Sequence, residues 1–400
     1  MLSNRQLFLL HLGQTSTTPV MVEIVKAEGV FMYGPDGKKY IDLISGVSVS
    51  NTGHCHPEVI EAVKKQVDSY MHLMVYGEII QKPQVKYAER LTQLLPPNLN
   101  SCYFVNSGSE AVEGALKLAK RFTGRSRIIS FKNAYHGSTH GALSIQGSET
   151  YKNSFRPLLP DTYLANFNDD KAINAIDTNT ACVIIEPVQG EAGVIYPENY
   201  FLGNIRKRCE ETGTLLIFDE IQTGFGRTGF MFAIDRFGVI PDILLLAKAL
   251  GGGMPLGAFI SSGKIMSSLV SDPKLGHITT FGGHPVCCAA GLASLNVIIN
   301  ENLVEKCNNR SKQFKKELVH PLISEVRGEG LLIAVQLTDP EYVQFAVAHA
   351  PDFGLILDYF LFCNNAIRIA PPLIISEDEI AQACGQLKRL LDEAMHNAKK

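Results

Sequence analysis

Lys248 stands directly after the apolar run Ile243 to Ala247 and just ahead of Gly251-Gly252-Gly253, an unusual place for a cation because a solitary buried ammonium is costly. A lysine in a partly desolvated site has a lowered pKa and attacks an aldehyde as a free amine, forming a Schiff base. A snorkelling or paired lysine is the plainer alternative. A second apolar run, Leu215 to Phe218, ends in Asp219, Glu220 and, after Ile221, Gln222. A carboxylate at the C-terminal end of a buried strand sits where open α/β sheets bind ligands. Asp219 could keep a pyridine nitrogen protonated and Gln222 could bond a phenolic oxygen on the same ring; a metal or ribose carboxylate, or a polar strand terminus, fits the same residues. Third, Val105-Asn106-Ser107-Gly108-Ser109-Glu110 closes a candidate strand and opens a helix, with Ser107 and Glu110 at capping-box spacing. Gly108 and Ser109 would offer backbone N–H groups and a hydroxyl at the positive end of that helix, which favours a phosphate. An ordinary capped helix would look the same.

These residues need a frame, and the chain between about 100 and 265 supplies one by alternating short apolar runs with helix-like segments, the pattern of a mostly parallel sheet covered by helices. Candidate strands are Cys102 to Val105, Arg127 to Phe131, Ala181 to Ile185, Thr214 to Asp219, Ile243 to Ala247 and Leu256 to Ser261. Several are continuous Ile/Leu/Val runs, as expected when both faces are buried. The tail reads as a helix from about Leu303 to Val319, strands near Leu331 to Gln336 and Ile367 to Ile369, and a last helix from about Glu377, capped by Ser376 and Glu379. Phe31 to Leu43, with Gly34-Pro35-Asp36-Gly37 at its middle, reads as a hairpin. The expected architecture is α/β: a large domain over 51–300 and a smaller α+β domain assembled from 1–50 and 301–400.

With 46% hydrophobic and 19% charged residues, a chain of 400 has ample core for two domains. Its 37 Lys plus Arg against 40 Asp plus Glu leave a formal charge of -3, too balanced for nucleic-acid or membrane binding through bulk charge. The nine cysteines contain no CxxC spacing, and reduced thiols in a cytoplasmic protein are the expectation. Leu7 to Leu10 is too short for a signal-peptide core, and no stretch reaches the roughly 20 apolar residues of a membrane span.

A phosphate-type helix start, an Asp-x-x-Gln and a Gly-flanked lysine follow one another here in the order of a single cofactor site. Together they resemble the class III aminotransferases, the family of ornithine, acetylornithine and 4-aminobutyrate aminotransferases. The resemblance runs from Asp36-Gly37-Lys38-Lys39-Tyr40 and Gly53-His54-Cys55-His56-Pro57 to Ile367-Arg368-Ile369-Ala370-Pro371-Pro372, and is most specific in Phe218 to Gly229 together with Lys248. It implies a fold type I enzyme carrying pyridoxal 5'-phosphate: Gly108 and Ser109 on the phosphate, Tyr135 of Ala134-Tyr135-His136-Gly137 stacked on the ring, Asp219 at the ring nitrogen, Gln222 at the phenolic oxygen and Lys248 as the Schiff-base lysine. It also implies a homodimer in which Thr280 reaches the other subunit's cofactor phosphate.

Two further positions concern substrate under the same resemblance. Arg368 would fork onto the carboxylate of glutamate or 2-oxoglutarate, and Glu191 would neutralise it when an ω-amine enters; Glu186 would support the site from behind. Where ornithine-type and acetylornithine-type relatives carry an arginine after the aromatic-His-Gly triplet, this chain has Ser138, which argues for a donor whose far end is not gripped there. Met71 to Gln81 should lie near the entrance. A decarboxylase, racemase or aminomutase on the same fold, or a cofactor-binding regulator without turnover, would share the lysine. A nicotinamide dehydrogenase is disfavoured because no GxGxxG directly follows a strand and opens a helix.

Overall fold

A computed structural model describes residues 2–397. Its centre is a seven-stranded sheet in the order Ser101–Val105, Gly257–Ser261, Ile243–Leu246, Leu215–Asp219, Thr180–Ile185, Arg127–Phe131 and Thr162–Ala165. Only Gly257–Ser261 runs antiparallel to its neighbours; the remaining pairings are parallel. Leu215 to Asp219 is buried along its whole length. Leu215 and Ile217 pack on one side of the sheet while Leu216 and Phe218 pack on the other, so a two-sided core accounts for the unbroken apolar run.

One cover is the helix Gly108–Thr123, which buries Ala111, Val112, Ala115, Leu116, Leu118 and Ala119 and ends at Gly124, φ 70°. It starts differently from the capping box that its spacing suggests. Ser107 Oγ accepts the Glu110 N–H at 3.2 Å, but the Glu110 carboxylate turns to the Asn106 N–H at 2.6 Å, leaving half a box. The strand Thr162–Ala165 has no counterpart in the sequence reading. It is an edge strand, short and only partly buried, and carries little hydrophobic signal.

Two four-stranded sheets gather the ends of the chain. Lys26–Glu28, Phe31–Tyr33 and Lys39–Asp42 form an antiparallel set turned at Gly34 to Gly37, and Leu355–Ile356 joins its edge in parallel. Ile323–Glu329, Leu332–Leu337, Cys363–Ile369 and Asp358–Phe360 make the other, with Arg368 opposite Ala334. The last helix, Glu377–Asn397, begins with the expected box: the Ser376 N–H donates to Glu379 at 2.8 Å, and Ser376 Oγ accepts the Glu379 N–H at 3.3 Å. Among the described residues no single helix is long and apolar enough to cross a membrane.

Candidate active site

Where the strands of the large sheet end, a cavity of about 500 Å³ opens, walled by Gly108, Ser109, Tyr135, Glu191, Asp219, Gln222 and Lys248. Seven of the residues singled out in the sequence thus meet in one space, contributed by the helix start at Gly108 and the loops after four strands. Strand ends are where backbone pairing stops and side chains are free to turn toward a ligand.

Lys248 follows Ile243–Leu246 and takes φ +50°, a left-handed conformation that L-residues rarely adopt and that recurs at functional sites. Among the described residues its ammonium has no hydrogen-bond partner, and burial pushes its pKa down from 10.5 to about 8, against the opposing pull of Glu191. About a tenth is therefore free amine at pH 7, far more than for an ordinary lysine, as a nucleophile requires.

Asp219 accepts the Ile221 N–H at 3.0 Å through Oδ1 and meets His136 Nδ1 at 2.7 Å through Oδ2. Both side chains are buried. His136 stands inside the Ala134-Tyr135-His136-Gly137 motif, yet the sequence reading assigns it no role; only tertiary proximity joins it to a carboxylate 83 positions away. Gln222 is buried with Nε2 unpartnered among the described residues, a donor facing a cavity that lacks its acceptor.

Glu186 ties two loops of the wall together, accepting the Tyr135 N–H at 2.9 Å and the Gly190 N–H at 2.9 Å. Burial raises its pKa from 4.5 to about 7, with the nearby Asp219 charge pushing the same way and His136 opposing. Neither adjoining approach leaves room for a Cβ beside the side chains as they stand. A Cβ on Gly190 would lie 2.1 Å from Gln222 Oε1, and one on Gly137, whose φ is +123°, would lie 2.1 Å from Ser109 Oγ.

Glu191 and Arg368 read as solvated charges when taken as bare residues. They are instead both buried and paired, Arg368 Nη2 to Glu191 Oε2 at 2.7 Å. Glu191 also accepts the Leu361 N–H at 3.1 Å, and the guanidinium lies 4.9 Å from the centre of the Phe360 ring. Arg368 Nε and Nη1 have no partner among the described residues, so one prong of the fork is unsatisfied.

Three expected residues, Arg368, Ser138 and Thr280, lie outside the cavity wall. Ser138 is exposed, its N–H donating to Ser109 Oγ at 3.3 Å and its hydroxyl 3.3 Å from the Tyr135 hydroxyl. Thr280 is exposed and does not reach the cavity of its own chain.

A desolvated amine, a carboxylate and an orphaned amide donor around one cavity, with a helix start at its edge, suit a flat, phosphorylated aldehyde carrying a ring nitrogen, so the donor set fits pyridoxal 5'-phosphate. Fold and site together define an α/β enzyme dependent on that cofactor. Residues 12–391 match the family model described as Aminotransferase class-III. The chain belongs to the class III aminotransferases, and is a transaminase of that family. It is 40% identical to the acetylornithine aminotransferase of Methanopyrus kandleri over 94% of this chain and 95% of that one. Among solved structures it resembles an ornithine aminotransferase from Toxoplasma gondii (TM-score 0.89, 29% identity, 99% of this chain and 95% of that one). It also resembles a transaminase from the marine bacterium Virgibacillus (TM-score 0.92, 27% identity, 98% and 99%).

Proposed function

We propose that the enzyme moves an amino group from an ω-amine donor to a 2-oxo acid such as 2-oxoglutarate in two half-reactions. The observation that carries this reading is the buried Glu191–Arg368 pair at 2.7 Å with Nε and Nη1 of the arginine unpartnered. A guanidinium with unpartnered N–H groups is suited to a planar carboxylate, and a neighbouring glutamate cancels its charge while a donor lacking a nearby carboxylate reacts.

In this reading Lys248 would hold the cofactor covalently and, when free, would carry the proton to and from the substrate carbon. The bound cofactor supplies an electron sink for the developing carbanion. Asp219 would keep the ring nitrogen protonated, Gln222 would bond the phenolic oxygen, Tyr135 would pack on the ring, and Gly108 with Ser109 would hold the phosphate. Domain limits of 1–50 with 301–400 and 51–300 belong to the same reading, supported by Leu355–Ile356 pairing with Lys39–Asp42 from the other end of the chain. A cytoplasmic setting is supported by nine cysteines that are all free.

A homodimer with Thr280 acting across the interface is supported by exposed apolar side chains around it. Ile80 is 92% exposed, and Met71, Ile278 and Phe281 are exposed too, while His72 packs on Phe281 at 4.9 Å and so joins the two segments in one patch.

The donor is the finer question. Names of the curated relatives favour acetylornithine, whereas Ser138 offers one neutral hydrogen bond in place of a charge-assisted pair, a difference of about 1 kcal/mol or somewhat more. The test is kcat/KM for acetylornithine, ornithine, 4-aminobutyrate and simple diamines with 2-oxoglutarate, in wild type and Ser138→Arg. We expect simple ω-amines to lead in wild type and Ser138→Arg to gain roughly tenfold on acetylornithine. A wild type that already prefers acetylornithine, with no gain in Ser138→Arg, selects the other donor.

A further inference from the structure

Arg227 is wholly buried, and no carboxylate pairs with it among the described residues. Nη1 donates to the carbonyls of Leu331 at 2.9 Å and Pro371 at 2.6 Å; Nη2 donates to Ser45 Oγ at 3.1 Å and Asn51 Oδ1 at 2.5 Å. A charge stripped of water and held only by neutral oxygens is expensive. Such a group persists where its fixed fork does something that no apolar side chain can do.

Here it joins three parts of the chain that are distant in sequence. Arg227 lies at the far end of the loop that begins with Asp219 and Gln222. Leu331 and Pro371 sit at the same end of the paired strands Leu332–Leu337 and Cys363–Ile369, the pair that carries Arg368 opposite Ala334. The backbone is clamped as well: the Leu331 N–H donates to the Arg227 carbonyl at 2.9 Å, and a Cβ on Gly330 would fall 2.5 Å from that oxygen.

The third part is Ser45 to Ser48, four consecutive residues with φ of 44°, 61°, 62° and 64°. A left-handed turn is costly for each L-residue in it, and Val47 is β-branched. Ser45 Oγ donates to the Ala370 carbonyl at 2.7 Å while receiving Arg227, and Asp42 Oδ1 accepts the Ser45 N–H at 2.8 Å. The turn leads into Val49, which lines the cavity.

We infer that Arg227 is a positioning residue for the acceptor, a strut that sets the Arg368 strand and the Ser45–Ser48 turn against the loop bearing Asp219 and Gln222. This rests on the reading of Arg368 as the 2-oxo acid ligand. The strut touches neither substrate nor cofactor, so its loss should be felt where two domains must present groups to one ligand. That condition applies to the acceptor, whose carboxylate needs Arg368, more than to a donor without a nearby carboxylate.

The test compares wild type, Arg227→Lys, Ser45→Ala and Arg368→Ala as holoenzymes. Two quantities are read: the Kd of glutarate, a non-reacting dicarboxylate, by calorimetry, and single-turnover rates of each half-reaction with 2-oxoglutarate or a diamine. A lysine cannot reach four acceptors at once, so Arg227→Lys should raise glutarate Kd and slow the single turnover with subsaturating 2-oxoglutarate roughly tenfold, while changing the donor step far less. Ser45→Ala removes one bond of the fork and should shift the same two quantities in the same direction by a smaller factor. It also serves if Arg227→Lys fails to fold. Wild-type glutarate binding in the folded Arg227 and Ser45 variants, with Arg368→Ala impaired, overturns the strut alone. Equal losses in both half-reactions overturn it too, because they mark a merely structural arginine. Unchanged glutarate binding in Arg368→Ala overturns the acceptor reading and the strut together.

Discussion

His136 Nδ1 lies 2.7 Å from Asp219 Oδ2, and both side chains are out of solvent. With the other carboxylate oxygen receiving the Ile221 N–H at 3.0 Å, Asp219 is held from two sides. Two bonds to one carboxylate fix where it points, so the imidazole positions Asp219 on the cavity wall.

Removing that donor should weaken chemistry more than cofactor retention. A hydrogen bond to a charged group is worth about 1.5–3 kcal/mol, so His136→Phe is expected to lower kcat roughly 10- to 100-fold. Its cofactor Kd should stay close to wild type, and His136→Asn, which keeps an N–H donor, should recover part of the loss. Equal damage to kcat and cofactor Kd would make His136 a packing residue only.

The amine of Lys248 carries the clearest pH signature. Its pKa is depressed from 10.5 to about 8, and the reactive species is the unprotonated amine. In apoenzyme the rate of covalent cofactor capture, trapped by borohydride and read as a mass shift, should rise with pH and level off above about 8. Lys248→Ala should show no capture and nearly no transamination. A flat profile, or capture at another lysine, contradicts the assignment.

Thr280 can be tested without seeing the interface. In a mixed dimer with Lys248→Ala on one subunit and Thr280→Ala on the other, a cross-subunit Thr280 places both lesions in one site. The other site stays intact, and the expected activity is about half that of wild type. Loss from both sites would return Thr280 to its own chain.

Much of this enzyme is written locally in its sequence. Leu215 to Phe218 and Ile243 to Leu246 announce strands because a run buried on both faces must be apolar throughout, and Asp219 and Lys248 stand out because a charge ending such a run needs a partner or a task. Gln222, Gly108 and Ser109 are legible for the same reason, being fixed within a few residues of those elements. The edge strand Thr162–Ala165 and the mixed-polarity strand Ile323–Glu329 left no comparable pattern, since half-exposed backbone accepts almost any side chain. Pairings over long stretches of chain were beyond local reading altogether. Glu191 meets Arg368 across 177 positions, His136 meets Asp219 across 83, and Arg227 reaches Ser45, Asn51, Leu331 and Pro371. Arg227 falls inside the most specific stretch of the resemblance, Phe218 to Gly229, but residue type and spacing do not tell it from a solvated arginine. Its partners are mostly neutral oxygens that any residue could supply, and folding alone brings them around one guanidinium and removes the water that would otherwise satisfy it.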